Sequence, residues 1–168
     1  MSDVLLVYYS RTGYTASVAR EISGMTGWDC EELHDVHHRV GAWGFVRSLL
    51  DVVLGRHPAI EKPAKDPADY KLVVLAAPVW MGRLSSPIRT YIAQHRGGFK
   101  QVAYFCTYGG KGAEHAAEQC AKFLGKPLAA TLAITDVEIE KSDYRTKLDQ
   151  FLWQLRALGA KPDSSKVA

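Results

Sequence analysis

The chain has 168 residues, 47% hydrophobic and 23% charged, with 21 basic residues against 18 acidic ones for a formal charge of +3. These proportions belong to a globular chain and exclude a disordered or collagen-like one, and the small basic excess is no signature of nucleic-acid binding. Three cysteines, Cys30, Cys106 and Cys120, cannot all pair and lack a metal-finger spacing, and no apolar run approaches the ~18 residues of a membrane span, so a cytoplasmic protein is expected.

One domain over residues 1–168 is expected, its core large enough to need no staple. Met1-Ser2-Asp3 enters a strand with no basic n-region, so no signal peptide is expected. Val4 to Tyr9 is a continuous apolar run, as a central strand buried on both faces requires. Ser10-Arg11-Thr12-Gly13-Tyr14-Thr15 follows, then a helix with Ala16, Val18, Ala19, Ile22 and Met25 on one side. Residues 28–35 read as a polar edge strand, and 43–54 as a helix carrying Trp43, Val46, Leu49, Leu50, Val53 and Leu54 on a stripe. Pro58, Pro63 and Pro67 mark 56–70 as a loop. Leu72 to Ala77 is the third strand, and Pro78 to Ser85 a loop. The next helix has Ser86 at its N-cap and Pro87 at its first position. Gln101 to Cys106 is the fourth strand, Thr107 to Gly112 a glycine-rich loop, and 113–124 a helix closed by Gly125. Leu128 to Ile134 is the fifth strand; Leu148, Phe151, Leu152, Leu155 and Leu158 stripe the last helix, and the polar tail 159–168 is expected to fray.

Alternating strands and helices predict an α/β fold, a doubly wound five-stranded parallel sheet of order 2-1-3-4-5 with the polar second strand at the edge. Ligands of such sheets sit beyond the carboxyl ends of the strands, where the loops 10–15, 78–85 and 107–112 meet. The first loop opens a helix N-terminus, whose unpaired N–H groups suit a phosphate. Ser10, Thr12 and Thr15 add hydroxyls and Gly13 lets the backbone fold closely. The alternative is a turn that merely caps the helix. Neither GxGxxG nor GxxxxGK[ST] occurs, which leaves a monophosphate cradle rather than a di- or triphosphate one. In the second loop, Pro78-Val79-Trp80-Met81-Gly82-Arg83, Trp80 and Met81 suit the face and edge of a flat aromatic ligand, or else Trp80 plugs the crevice. In the third, Thr107-Tyr108-Gly109-Gly110-Lys111-Gly112, Tyr108 offers a second aromatic wall and the glycines close backbone approach; the plainer reading is a flexible turn.

With these loops in place, the chain resembles the flavodoxin-like family of FMN-binding proteins, in its short-chain bacterial form. Ser10 to Thr15 after the first strand matches the [ST]-x-T-G-x-T phosphate loop, and the other two loops stand at matching strand ends over about residues 3–158. The resemblance implies FMN as cofactor. Its phosphate would be held by Ser10, Arg11, Thr12, Gly13, Tyr14 and Thr15. Its ring would be enclosed by Pro78, Val79, Trp80, Met81 and Gly82 on one side and Thr107, Tyr108, Gly109 and Gly112 on the other. It further implies a peptide at Gly82 that turns over on one-electron uptake, so that its carbonyl accepts a hydrogen bond from reduced N5.

The chain departs from the acidic carriers of that family. Arg11, Arg83 and Lys111 stand in the three loops, with no Asp or Glu among them. A unit charge ~6 Å from the flavin at an effective dielectric near 20 is worth roughly 3 kcal/mol, on the order of 0.1 V before screening, which predicts a less strongly reducing flavin. Electron transfer to a protein partner or a small acceptor is the first functional expectation. A small NAD(P)H- or quinone-linked oxidoreductase comes next, protoporphyrinogen-oxidase-like chemistry included, and then an FMN-binding sensor without turnover. The second helix, with Trp43 and Phe45, and the 56–70 loop would line the flavin crevice or form a homodimer contact, with Arg56 and His57 as substrate contacts, and this is weighed against simple covering of the sheet. Cys30, His34, His37 and His38 read as a solvated edge rather than a metal site, Cys106 and Cys120 as core, and Glu114 and His115 as surface rather than a proton relay. No residue is assigned as an acid or base.

Overall fold

The computed structural model describes residues 2–36, 59–163 and 165–166. The expected helix at 43–54, together with Trp43, Phe45, Arg56, His57, His37 and His38, lies outside the described residues. The chain runs β1 (Val4–Tyr8), α1 (Tyr14–Thr26) and β2 (Asp29–Glu32), and resumes with β3 (Leu72–Trp80), β4 (Arg83–Leu84) and α2 (Ser86–Gln94). It continues with β5 (Gln101–Tyr108), α3 (Ala113–Leu124), β6 (Thr131–Thr135), α4 (Asp136–Glu140) and α5 (Arg145–Ala157). The parallel sheet has the order β2-β1-β3-β5-β6, the expected 2-1-3-4-5, with the polar β2 at one edge.

Side-chain alternation along the central strands divides the apolar interior into two layers. Val4, Leu6, Tyr8, Val74, Ala76, Phe105 and Ile134 face α1 and α5, meeting Val18, Ile22, Leu148, Phe151 and Leu155. Leu5, Val7, Val73, Leu75, Val102 and Tyr104 face α2 and α3, meeting Ile88, Tyr91, Ile92, Ala116 and Cys120. Burial on both faces is why these strands read as unbroken apolar runs.

Several boundaries differ from expectation. The third strand does not stop at Ala77: β3 carries Pro78, Val79 and Trp80, then turns back at Met81-Gly82 into the antiparallel β4, pairing Trp80 with Arg83. Proline is tolerated there because β1, β3's partner on one side, pairs no further than Ala76; Pro78 pairs with Thr107 on the other. The helix α2 begins one residue earlier than expected, with Ser85 at the N-cap and Ser86 its first residue. The edge strand β2 ends at Glu32; Asp35 then bridges Ile60 in antiparallel sense. Residues 128–130 reach β5 through Ala129 N–H to Val102 at 2.7 Å before β6 proper begins at Thr131.

The described residues of the tail, 159–163 and 165–166, are docked rather than frayed as expected. Ala160 is buried, the Asp163 N–H donates to the Thr26 carbonyl at 2.7 Å, the Trp28 indole donates to the Lys161 carbonyl at 3.0 Å, and Lys166 pairs with Asp29 at 2.5 Å. Its polar composition conceals a dock onto the far end of α1. Among the described residues no helix is long and apolar enough to cross a membrane.

Candidate functional site

The carboxyl ends of the parallel strands carry the three loops, as the switch between β1 and β3 requires. In loop one, Gly13 is the N-cap of α1 with φ 95°, a left-handed conformation, and no side chain caps the helix. The first-turn amides of α1 are therefore unclaimed by a cap. The Gly13 N–H donates to Ser10 Oγ at 3.2 Å, so Ser10 shapes the loop. Thr15 departs from expectation: it is buried, and its hydroxyl pairs with that of Thr107 at 2.8 Å, tying α1 to the end of β5.

Loop two is a two-residue hairpin. Met81 has φ 49° and Gly82 φ 70°, and two left-handed central residues make the turn that matches the natural twist of paired strands. Met81 takes a conformation that ordinarily belongs to Gly or Asn, and it is 64% exposed. Trp80 is half-buried, its ring meeting that of Tyr9 edge to face at 5.5 Å. The Leu84 N–H donates to Gln119 Oε1 at 3.0 Å, so α3 holds the hairpin from outside.

The glycines of loop three have separate structural reasons. A Cβ on Gly112 would stand 2.2 Å from Gly82 Cα, so the loop three backbone rests directly on the hairpin tip. A Cβ on Gly109 would stand 3.0 Å from Asp136 Oδ2. Only Gly110 of the three faces open space within 4 Å. Contact between loops, not room for a ligand, fixes Gly112.

Together the loops enclose a cavity of 250 Å³ lined by Arg11, Thr12, Pro78, Val79, Trp80, Met81, Thr107, Tyr108, Gly109 and Asp136. An adjoining open groove of 440 Å³ shares Val79, Met81, Tyr108 and Gly109 and adds Gly82, Gly110, Lys111 and Gly112. Ser10, Gly13, Tyr14 and Thr15 line neither space. The two aromatics thus share one cavity with the start of the hydroxyl-bearing loop.

Asp136 was not legible as part of this site. It comes from the turn after β6, a fourth strand end, half-buried, and burial, then the nearby charge of Glu140, holds its carboxyl above the usual range. Glu140 itself accepts a hydrogen bond from the Tyr14 phenol. The charge expectation is corrected accordingly: the three loops hold no carboxylate, but α4 brings Asp136 to the cavity wall, opposing in sign Arg11, Arg83 and Lys111. A short helix led by an Asp carries no ligand signal in a single sequence.

The remaining candidates stand elsewhere. His115 contacts Gln119 and Glu118 along α3, and neither it nor Glu114 lines the cavity. Cys106 and Cys120 are buried, which pushes each thiol up to about 12, and Cys30 is half-buried with its thiol pushed to about 11. These values keep all three protonated and unreactive at neutral pH.

The family model described as Flavodoxin matches residues 3–129. A flavoprotein of Lactobacillus acidophilus NCFM, solved in complex with FMN, is 25% identical with a TM-score of 0.67 over 84% of this chain and 98% of its own. A candidate flavoprotein of Bacteroides eggerthii is 24% identical, TM-score 0.70, over 90% and 99%. An NADH:FMN oxidoreductase in its apo form shares the fold at 12% identity, TM-score 0.59, over 97% and 92%. No curated protein matches the sequence.

Proposed function

The chain belongs to the flavodoxin family, and from that premise we propose that its crevice binds FMN and that the protein passes electrons through the flavin to a protein or small-molecule acceptor. The observation that carries this reading is the shared cavity: Trp80 and Tyr108 line it together with Arg11 and Thr12, which open the uncapped start of α1. A planar ring with a phosphate tail needs those two kinds of surface on one wall. At 250 Å³ the cavity falls short of the roughly 300–1,000 Å³ usual for ligand pockets, and the adjoining groove supplies the remaining space.

In this reading loop one holds the phosphate. Thr12 offers its hydroxyl, Arg11 its charge, and Tyr14 and Thr15 their backbone amides, since the Thr15 hydroxyl is already paired with Thr107 and the Gly13 N–H with Ser10. Ser10 holds the loop's shape through Gly13. Pro78, Val79, Trp80 and Met81 cover one side of the ring, Thr107, Tyr108 and Gly109 the other, and Gly112 keeps Gly82 in place. The flavin supplies the electron chemistry when bound, and the chain supplies binding, orientation and the field around the ring. The hairpin at Met81-Gly82 is the place where a peptide reorientation would be accommodated, because both residues already have positive φ.

A second reading, a small-molecule oxidoreductase that uses NAD(P)H or a quinone, is favoured by one observation. Arg83 is exposed on the hairpin and Lys111 is exposed in the outer groove, which gives that side of the site a cationic face suited to an anionic substrate. The experiment titrates purified protein with FMN by fluorescence quenching, then adds NADPH anaerobically, followed by a quinone. Saturable quenching is expected. A protein that leaves FMN fluorescence unchanged refutes the cofactor assignment. Bleaching by NADPH without an added reductase selects the second reading over the carrier.

A further inference from the structure

The two edges of the sheet are built differently. β2 carries Asp29, Glu31 and Glu32, and the chain after Ile60 covers it: the Ala64 N–H donates to Glu31 Oε1 at 2.8 Å and Lys65 Nζ to the Cys30 carbonyl at 3.1 Å. Charge and cover of this kind keep an edge strand from pairing with another chain. β6, at the other edge, reads Thr131-Leu132-Ala133-Ile134-Thr135, with neither a charge nor a proline. Among the described residues no strand pairs with its outer side. The rest of the chain leads away from it. The tail leaves α5 for the far end of α1, and residues 37–58 join the described chain beside the Asp35–Ile60 bridge, on the β2 side of the sheet.

The Tyr104 N–H donates to the Ala130 carbonyl at 3.0 Å, so strand alternation turns the backbone groups of Thr131 and Ala133 outward. The strand is also chemically symmetrical about Ala133: an apolar residue stands on either side of it and a threonine beyond. A two-fold axis at Ala133 therefore pairs like with like. Ala133 meets the partner's Ala133 and exchanges both backbone hydrogen bonds with it, Leu132 meets the partner's Ile134, and Thr131 the partner's Thr135. Beside the strand, α5 borders a groove of 210 Å³ with the neutral Gln150 and Gln154. The one charged residue of that groove, Lys147, is held by Glu138 at 2.6 Å, so the axis brings no unpaired like charges together. The same helix carries Trp153, 71% exposed, the most exposed large apolar side chain among the described residues. We propose that the β6 edge is a homodimer interface, in which two copies of this chain join their sheets antiparallel at Ala133 and Trp153 covers the partner's α5. A foreign strand would need only the outward backbone groups; the symmetry about Ala133 is what singles out a second copy. This goes beyond the FMN reading and does not depend on it.

The test measures mass by sedimentation equilibrium over a concentration series for wild type, Trp153→Ala, Ala133→Cys and Thr131→Cys, each verified as folded by circular dichroism. Wild type is expected to reach twice the 18.6 kDa chain mass. Trp153→Ala changes a side chain that is exposed in the single chain, so it should fold normally and weaken the dimer by about tenfold or more. Residues opposed in a hydrogen-bonded antiparallel pair have Cα atoms about 5.5 Å apart, within disulfide range. Ala133→Cys should therefore be trapped as a covalent dimer by mild oxidation with copper phenanthroline. Thr131→Cys, which stands off the axis and meets the partner's Thr135, should not be trapped, nor should wild type, whose own cysteines are buried or half-buried. Wild type that stays at the chain mass throughout overturns the inference. A dimer in which Ala133→Cys crosslinks no faster than Thr131→Cys also overturns it, since the copies then meet on another surface. So does a dimer that Trp153→Ala leaves at full strength.

Discussion

Substituting Gly112 by Ala places a methyl group in the tightest contact between the loops. The new Cβ would lie 2.2 Å from Gly82 Cα, 2.9 Å from its carbonyl carbon and 3.0 Å from its oxygen. Carbon atoms rest at roughly 3.5 Å or more, so the hairpin tip must retreat by about 1.3 Å. Gly112 has φ +97°, and an L side chain there costs about 1–2 kcal/mol by itself. Retreat of the hairpin also strains the bond from the Leu84 N–H to Gln119, whose loss adds about 1 kcal/mol. Gly112→Ala should therefore destabilise by about 2–4 kcal/mol in urea unfolding and weaken FMN binding in parallel, because Met81 and Tyr108 move apart. Two other glycines calibrate the reasoning. Gly82→Ala would meet Gly112 Cα at an ordinary 3.7 Å but has φ +70°, so about 1–2 kcal/mol of backbone strain is expected alone. Gly110→Ala meets nothing within 4 Å and should stay within about 0.5 kcal/mol of wild type. The ordering Gly112 over Gly82 over Gly110 is the diagnostic result. Equal unfolding midpoints for Gly112→Ala and Gly110→Ala would refute the proposed contact between the loops.

Further outcomes follow from individual contacts. Thr15→Val or Thr107→Val alone leaves a buried hydroxyl unpaired and should cost about 1–3 kcal/mol, whereas the double variant should cost less than the sum; a double-mutant cycle in urea that returns strict additivity means the pair contributes nothing. Glu138 is held below the usual carboxylate range by its ion pair with Lys147 at 2.6 Å, and then by the Thr135 N–H. A depressed folded-state pKa stabilises above the unfolded value near ~4.3 and loses that stabilisation as pH falls through the folded value, so the gap in Tm between wild type and Glu138→Gln should be full at pH 7 and close in acid. A gap that persists unchanged below that range contradicts the assignment. Trp80→Ala should weaken FMN about tenfold or more while Trp80→Phe retains most of the affinity, read by flavin fluorescence; unchanged binding by the alanine variant would mean that Trp80 serves only to pack against Tyr9.

The sheet was legible because its central strands are buried on both faces, so Val4–Tyr9 and Leu72–Ala77 each appear as a continuous apolar run, while the polar 28–35 segment marks the edge. Loop positions followed from the same pattern, since a chain that leaves a buried parallel strand must turn at its carboxyl end. What escaped were particular contacts between segments far apart in sequence. Pro78 looked like the end of a strand because proline lacks an N–H, and only the shorter reach of β1 shows that none was needed there. The glycines of loop three suggested room for a ligand, yet Gly112 is required by Gly82, 30 residues earlier, and Gly109 abuts Asp136. The polar composition of the tail predicts a frayed end, but backbone hydrogen bonds, which composition does not encode, pin Asp163 to Thr26. Asp136 illustrates the same limit with a functional consequence. Counting charges within three loops described the crevice as purely cationic, and the carboxylate that changes this arrives from a strand that contributes no motif at all. Charge in a crevice is a property of converging chain segments. The field at this site is therefore that of Arg11 and Asp136 acting on one cavity, and neither residue's sequence context discloses the other.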